Sequence, residues 1–240
     1  MSDATEKMLD GQLALVTGAS RGIGAATAIA LAKAGAHVIL VARTAGGLEE
    51  VEQQIFDAGG AATIAPLDLT DGDSIARLAS AVRQRWDALD IMVMNAAMLG
   101  SLGPVSAIDG KEFNQLLTLN LLAQQSLIAN FDALLKRSSD ARVIAMTSSV
   151  GDRPRAFWGA YGASKAALEN LVQAYGDEVQ KLSRIRTAIV NPGKTRTRMR
   201  ELAYPGEDPH TLKRPEVVAD RLVTLLTSGF ETGYRLDIEG

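Results

Sequence analysis

Gln12-Leu-Ala-Leu-Val-Thr17 runs directly into Gly18-Ala-Ser-Arg-Gly-Ile-Gly24, and an alanine-rich stretch continues to about Ala34. The first six residues read as a short buried strand, and the alanine-rich run reads as a helix closed by Gly35 as its C-cap. Ala36–Val41 is a second apolar strand. Strand, glycine turn, helix and strand within about thirty residues make a βαβ unit with a phosphate-binding turn. Glycines let the backbone approach a pyrophosphate closely, and the helix N-terminus offers N–H donors and a favourable dipole. The spacing is Gly-x-x-x-Gly-x-Gly rather than Gly-x-Gly-x-x-Gly. A glycine turn alone would be only a tight turn; its place between strand and helix makes nucleotide binding the reading.

The alternation continues outward from this unit. Leu48–Ala58 reads as a helix ended by Gly59-Gly60, and Ala62–Pro66 as a strand leading to Asp68-Leu69. Asp71–Trp86 is a helix with Thr70 or Asp71 as its expected N-cap. Leu89–Met94 is a strand bounded by Asn95-Ala96-Ala97, and Lys111–Leu135 is a long helix. Arg142–Thr147 is a strand, Trp158–Leu182 a helix, and Arg186–Val190 a strand stopped by Asn191-Pro192-Gly193. Pro215–Thr227 is a helix with proline in its first turn, and Tyr234–Ile238 is a last strand. Apolar strands alternating with helices imply an α/β fold: a doubly wound, seven-stranded parallel sheet covered on both faces. No repeat or linker divides the sequence, so residues 1–240 are expected to form a single domain. The one long irregular segment, Lys194–Arg214, is the expected substrate loop.

Composition removes several classes of function. Of 240 residues 47% are apolar, enough for one substantial core, and no run of eighteen apolar residues predicts a membrane span. The N-terminus, Met1 to Lys7, is polar and acidic rather than basic-then-apolar, and predicts no secretory leader. No cysteine is present, which excludes disulfides and thiol catalysis and fits a cytoplasmic protein. A net charge of −3 argues against nucleic acid or a membrane surface as partner. His37 opens an apolar strand and His210 lies in a loop; both read as structural or solvated. A serine–histidine triad or a histidine-rich metal site is therefore not expected, and no metal ligands are assigned.

Ala160-Tyr161-Gly162-Ala163-Ser164-Lys165 opens a proline-free helix, where residues four apart share one face. Tyr161 and Lys165 are thus neighbours. A phenol has an ordinary pKa of about 10, and an adjacent ammonium favours the phenolate and lowers that value. The pair is suited to general acid/base work. The competing reading is a helix start with an exposed lysine.

Taken in order, Thr17-Gly-Ala-Ser-Arg-Gly-Ile-Gly24, Asp68-Leu69, Asn95-Ala96, Asn120, Ser148, Tyr161-x-x-x-Lys165 and Pro192-Gly193 with Thr197 resemble the short-chain dehydrogenase/reductase family, in its compact single-domain branch. The resemblance covers nearly the whole chain. It implies a catalytic tetrad of Asn120, Ser148, Tyr161 and Lys165. Ser148 follows the strand Arg142–Thr147, at the carboxyl edge where ligand sites lie in such sheets. Its hydroxyl would polarise a substrate carbonyl. Thr147 and Ser149 are rival hydroxyls; the spacing to Tyr161, and Gly151, favour Ser148. Tyr161 would exchange the proton with the substrate oxygen, and Lys165 would lower the tyrosine pKa and hold the nicotinamide ribose. Asn120 interrupts the apolar run Leu116–Leu122, which requires a hydrogen-bond partner. In the family this asparagine anchors a water that relays protons to the lysine.

The resemblance also assigns cofactor contacts. Gly18, Ser20, Arg21, Gly22, Ile23 and Gly24 would cradle the phosphates, Asp68 and Leu69 would flank the adenine, and Asn95 and Ala96 the adjacent ribose. Pro192, Gly193, Thr195 and Thr197 would lie by the nicotinamide. The second strand ends Val41-Ala42-Arg43-Thr44 with no acid. An acid there would bond the adenosine ribose of NAD, whereas Arg43 suits a 2′-phosphate. With Arg21 adding charge, NADP(H) is favoured over NAD(H). Ala97 stands where the family commonly has glycine, which would strain the turn if positive φ were needed.

The substrate is expected to be a small-molecule carbonyl or alcohol, bounded by Ala96–Leu102, Val150–Trp158 and Lys194–Arg214. Arg153, Arg155, Arg196, Arg198 and Arg200 fall in or near these segments; holding an anionic substrate is one role for some of them, and solvated loop arginines or subunit-contact salt bridges are the preferred reading. The family implies a homodimer or homotetramer built on the two long helices. With the sequence stopping at Gly240, no tail is expected to cover a neighbour's site. The rival to an NADP(H)-dependent oxidoreductase is a non-catalytic NADP(H)-binding regulator on the same fold. Enoyl reduction fits poorly, since it usually widens the tyrosine–lysine spacing, as does nucleotide-sugar epimerisation, which needs a second lobe.

Overall fold

The computed structural model describes residues 7–239. Nearly all of the N-terminal stretch read as leader-free, and the final glycine, fall outside them. Among the described residues the strands are β1 (Leu13–Thr17), β2 (His37–Ala42), β3 (Ala61–Pro66), β4 (Ile91–Met94), β5 (Arg142–Met146), β6 (Arg186–Asn191) and β7 (Tyr234–Asp237). The helices are α1 (Gly22–Lys33), α2 (Ala45–Asp57), α3 (Ser74–Arg85), α4 (Gly110–Leu117), α5 (Ala123–Leu135), α6 (Ser149–Asp152), α7 (Gly159–Val179), α8 (Arg198–Ala203) and α9 (Pro215–Ser228). The strands form one sheet in the order β3-β2-β1-β4-β5-β6-β7, and every neighbouring pair is parallel.

Alternation along the strands sends side chains to two apolar layers. Leu13, Leu15, Met92 and Val143 pack with Leu78, Leu127, Phe131, Leu168 and Val172 from α3, α5 and α7. Ala14, Val16, Val93 and Ile144 pack with Leu31, Leu48, Ile55 and Leu222 from α1, α2 and α9. Phe131, with no exposed surface, anchors the first layer; burying such a side chain contributes roughly 1.5–3 kcal/mol. Both faces are covered, as the unbroken apolar strands require.

From β1 the chain steps outward through β2 to β3, then returns to lay β4 on the other side of β1. The two directions part between β1 and β4, and a crevice opens beyond their carboxyl ends. The Gly18–Gly24 turn and the Asn95–Ala97 turn meet there.

Four local expectations change. Helix α3 starts at Ser74 after Asp73, with no side-chain cap, rather than at Thr70 or Asp71. Asp68 is the cause: its carboxylate accepts from the Thr70 N–H at 2.9 Å and the Thr70 hydroxyl at 2.7 Å, holding an extra turn ahead of the helix. The long helix expected over Lys111–Leu135 is divided by a π turn at Thr118–Leu122. The Asn120 and Gln124 side chains compete there for backbone partners, and Gln124 Nε2 donates to the Leu119 carbonyl at 2.9 Å. The helix expected to reach Leu182 ends at Val179, whose carbonyl accepts from Leu182 N, Ser183 N and the Ser183 hydroxyl. The segment Lys194–Arg214 is not irregular throughout, since it holds α8 and a 3-10 turn at Pro209–Thr211. Thr197 and Asp208 cap these two pieces, a local signal that the glycine- and proline-containing loop masks.

Candidate active site

The glycine turn is drawn tight against the next strand. A Cβ on Gly24 would overlap the Gly18 carbonyl oxygen and lie 2.6 Å from Asn95 Nδ2. Gly18 itself sits at φ +67°, where a side chain is strained. Asn95 clasps the turn: its Nδ2 donates to the Thr17 carbonyl at 2.9 Å and more weakly to that of Gly18 at 3.4 Å. The Thr17 hydroxyl accepts from the backbone N–H groups of Asn95 and Ala96 at 3.0 and 3.1 Å. The asparagine amide, read as facing a ribose, is spent on holding β1 to β4, though the residue still borders the cleft. Helix α1 begins at Gly22 with no side-chain cap and no acid in its first turn. Its unpaired N–H groups and dipole therefore face the cleft uncompensated, as an anion site requires.

The cleft has a volume of about 2200 Å³. Gly18, Ser20, Arg21, Gly22 and Ile23 line its floor, Arg43, Asp68 and Leu69 one end, and Asn95, Ala96, Pro192 and Thr197 its middle. Gly24, Gly193 and Thr195 are not among its lining residues: Gly24 packs under the turn, and Thr195 is buried with its hydroxyl donated to the Pro192 carbonyl at 3.0 Å. The Thr197 hydroxyl accepts from the Arg200 N–H at 3.2 Å and caps α8. The hydrogen bonds from Thr70, backbone first, with Arg43 nearby, hold the Asp68 carboxyl below its usual range. Arg21 and Arg43 form no ion pair among the described residues. Among the described non-glycine residues only Phe157 has a positive φ, so Ala97 fits its turn without the freedom of glycine.

Tyr161 and Lys165 lie at the inner wall, 6% and 3% exposed. The competing reading of an exposed lysine is excluded. Lys165 Nζ donates to the Met146 carbonyl at 2.8 Å and lies 5.8 Å from the centre of the Tyr161 ring. The tyrosine ring packs with Leu99, Leu116 and Val150, and the Trp158 indole meets it edge-on at 6.0 Å. Its hydroxyl contacts Met199 Sδ at 3.7 Å. The sequence reading had Lys165 lowering the phenol pKa; instead burial pushes Tyr161 above its usual value. The reason is geometric: the ammonium is turned to the end of β5, and removal from water outweighs its attraction. Burial likewise pulls Lys165 down to about 8, against the opposing pull of Glu169.

Asn120 is fully buried in the π turn. Its Oδ1 accepts from Met98 N at 2.9 Å, and its Nδ2 donates to the Met98 carbonyl at 2.9 Å and to Ser164 Oγ at 3.1 Å. Ser164 in turn donates to the Tyr161 carbonyl at 2.8 Å. The asparagine thus joins the Met98 strand-end loop to α7 beneath the Tyr161–Lys165 pair. Ser148 is half-buried at the start of α6 and is not among the residues lining the cleft. Its rival Thr147 does line the cleft, but donates its hydroxyl to the Glu169 carboxylate.

The arginines divide. Arg200 forms a two-pronged pair with Glu207 and lies 3.7 Å over the Tyr204 ring, and Arg155 donates to the Tyr204 hydroxyl. Arg153 pairs with Asp152, and Arg198 reaches Glu201 at 4.0 Å. Only Arg196 and Arg198 of the five border the cleft. Around Tyr161 the wall is instead Met98, Leu99, Leu102 and Met199. The sequence reading passed over Glu169, Met199 and Tyr204. Glu169 carried a signal, a charge four residues beyond Lys165 on one helix face; the loop residues carried none, because their positions depend on how α8 folds back.

The family model for short chain dehydrogenases matches residues 12–208. The uncharacterised oxidoreductase YciK of Escherichia coli is 34% identical over 239 residues, covering 98% of this chain and 94% of that protein. A solved short chain dehydrogenase from Pseudomonas syringae is 38% identical, with a TM-score of 0.93 and coverage of 99% of this chain and 98% of that one. A short chain dehydrogenase from Shigella flexneri, crystallised with NADP, is 35% identical at a TM-score of 0.93, covering 97% and 99%.

Proposed function

The chain belongs to the short-chain dehydrogenase/reductase family and is a nicotinamide-dependent oxidoreductase, and from that premise we propose that it interconverts a neutral, apolar carbonyl compound and its secondary alcohol with NADP(H). The observation that carries this reading is Tyr161, buried at the inner wall of the cleft with Lys165 one helical turn along. The residues fit the cofactor: an uncapped helix start for the pyrophosphate, and Arg43 with Arg21, neither of them ion-paired among the described residues, for a 2′-phosphate. A related enzyme crystallised with NADP supports the same choice. When bound, the nicotinamide supplies or accepts the hydride. The chain's part is the proton. Tyr161 gives its hydroxyl proton to the substrate oxygen in reduction and recovers it in oxidation. Lys165 would hold the ribose and offset the charge left on the tyrosine oxygen when its proton leaves, Asn120 ties down the backbone beside both, and Ser148 would be the donor to the carbonyl.

The neutral substrate follows from the wall. Leu99, Leu116, Val150 and Met199 pack about the tyrosine, while Arg153, Arg155 and Arg200 are partnered away from the cleft and, of the two arginines that border it, Arg198 reaches Glu201. Turnover of matched neutral and anionic ketones with NADPH tests it; faster turnover of the anionic set would reverse the assignment. The regulator reading draws on one observation: Met199 covers the tyrosine hydroxyl and Ser148 stands outside the cleft lining. NADPH binding without turnover of any carbonyl compound would establish it. We also read the chain as one domain that self-associates through α5 and α7, where Leu122, just ahead of α5, is 58% exposed.

A further inference from the structure

Glu169 is a carboxylate in the interior, 8% exposed, that the proposed proton transfer does not use. It lies on α7 one turn beyond Lys165, as Lys165 lies one turn beyond Tyr161, so the three share one face. Its Oε1 accepts from the Thr147 hydroxyl at the end of β5, the strand whose Met146 carbonyl receives Lys165 Nζ. Its Oε2 accepts from Arg235 Nη1 on β7 at 2.7 Å. The space for it is made by Gly151: a Cβ there would come within 2.7 Å of Glu169 Oε1 and 3.1 Å of Lys165 Cβ. Carboxylate and lysine stem are thus packed side by side against the same backbone.

A buried carboxylate costs several kcal/mol unless paired, so its place needs a reason. Arg235 could pair equally well at the surface, where Asp237 already meets its Nε at 3.5 Å. What the interior position adds is a negative charge beside a lysine that sits nearly out of water. We propose that Glu169 is a positioning residue that keeps Lys165 in place and charged, with Arg235 setting how strongly it does so. This rests on the reading of Tyr161 and Lys165 as the proton-transfer pair. The charged and titratable groups around the lysine are Tyr161 and Glu169 on its own helix, Arg235 and Asp237 on β7, and Asp152 on α6, which acts on Arg235. Burial lowers the lysine to about 8 even though Glu169 pulls the other way. Loss of the carboxylate therefore lets it fall further, into the working range of the enzyme, whereas loss of the Arg235 cation lets it rise.

Two substitutions that break the same ion pair should then act with opposite sign. The measurement is the alkaline limb of kcat/KM against pH, with NADPH and a turned-over ketone. Glu169→Gln should move the limb to lower pH by about one unit, the size of a neighbouring-charge effect. Arg235→Gln should move it to higher pH by a smaller amount. If both variants merely lose activity with the limb fixed, or shift it in the same direction, the pair is only structural and the inference fails. Should Glu169→Gln not fold, Arg235→Gln alone decides, because a limb unmoved or moved to lower pH overturns the proposal. Tyr161→Phe serves as the separate control. If it keeps wild-type turnover, the underlying acid/base reading fails; if it is inactive and the limbs do not move, only the role of Glu169 does.

Discussion

Removing one oxygen atom, by Tyr161→Phe, separates catalysis from stability. The ring is held by Leu99, Leu116 and Val150 and by the edge of Trp158, all of which phenylalanine keeps. Among the described residues the hydroxyl's hydrogen-bond partner is Met199 Sδ, at 3.7 Å, a weak acceptor. No strong hydrogen bond is lost, so the cost to stability should stay within about 0.5–1.5 kcal/mol, the net worth of an ordinary hydrogen bond. A positioned general acid, by contrast, contributes about 10²- to 10⁴-fold in rate. NADPH binding should persist because the floor of the cleft, from Gly18 to Ile23, is untouched. The assay pairs NADPH consumption on a ketone panel with NADPH fluorescence and a thermal melt. Turnover within tenfold of wild type, with the fold intact, would refute Tyr161 as the proton donor.

Arg43→Glu should reverse the cofactor preference, costing NADPH at least tenfold in KM while sparing NADH; steady-state kinetics with both cofactors checks it. Gly24→Ala should destabilise the fold by about 1–3 kcal/mol, since backbone and a clasping amide leave no room; urea unfolding measures it. Arg200→Ala should loosen α8 by removing both the Glu207 pair and the cover over Tyr204, raising KM for ketones several-fold with NADPH affinity unchanged. For Lys165 the sign runs opposite to a surface lysine. Its folded pKa, about 8, lies below its unfolded value, so the unfolded chain binds more protons between these values and stability rises with pH across that window. Lys165→Met should remove that rise while abolishing turnover, as melts from pH 7 to 10 would show.

The sheet was readable because its central strands β1, β2, β4 and β5 are nearly or wholly apolar and bounded by turn residues, and the glycine turn marked the crevice. Tyr161 and Lys165 were readable because helix geometry alone makes them neighbours. Other features depended on side chains returning to backbone. Asn120 drew attention as an amide in an apolar run, yet nothing local showed that it would trade helix geometry for the Met98 amide and carbonyl and open a π turn. Asn95 had the right type for a ligand contact, but its amide closes the turn instead. Ala97 looked like a liability and is none, because backbone angles at a turn are set by chain path, which a residue name does not report. The environment of Lys165 was furthest from view, since Arg235 lies at the other end of the chain.

The inner wall explains why these misses cluster. A phenol that must release a proton and an ammonium that must stay charged are both poorly served by burial, which moves each toward its neutral form. The same burial keeps water from the reacting oxygen and strengthens every remaining charge interaction. A site of this kind therefore needs a compensating charge close by, itself compensated further out. Glu169 and then Arg235 form that outward series, from the centre of α7 to the edge strand β7. On this reasoning the edge strand is more than the end of the sheet. It carries the cation that fixes a buried carboxylate, which in turn fixes the lysine, and a change on β7 should be felt in the pH dependence before it is felt in the rate.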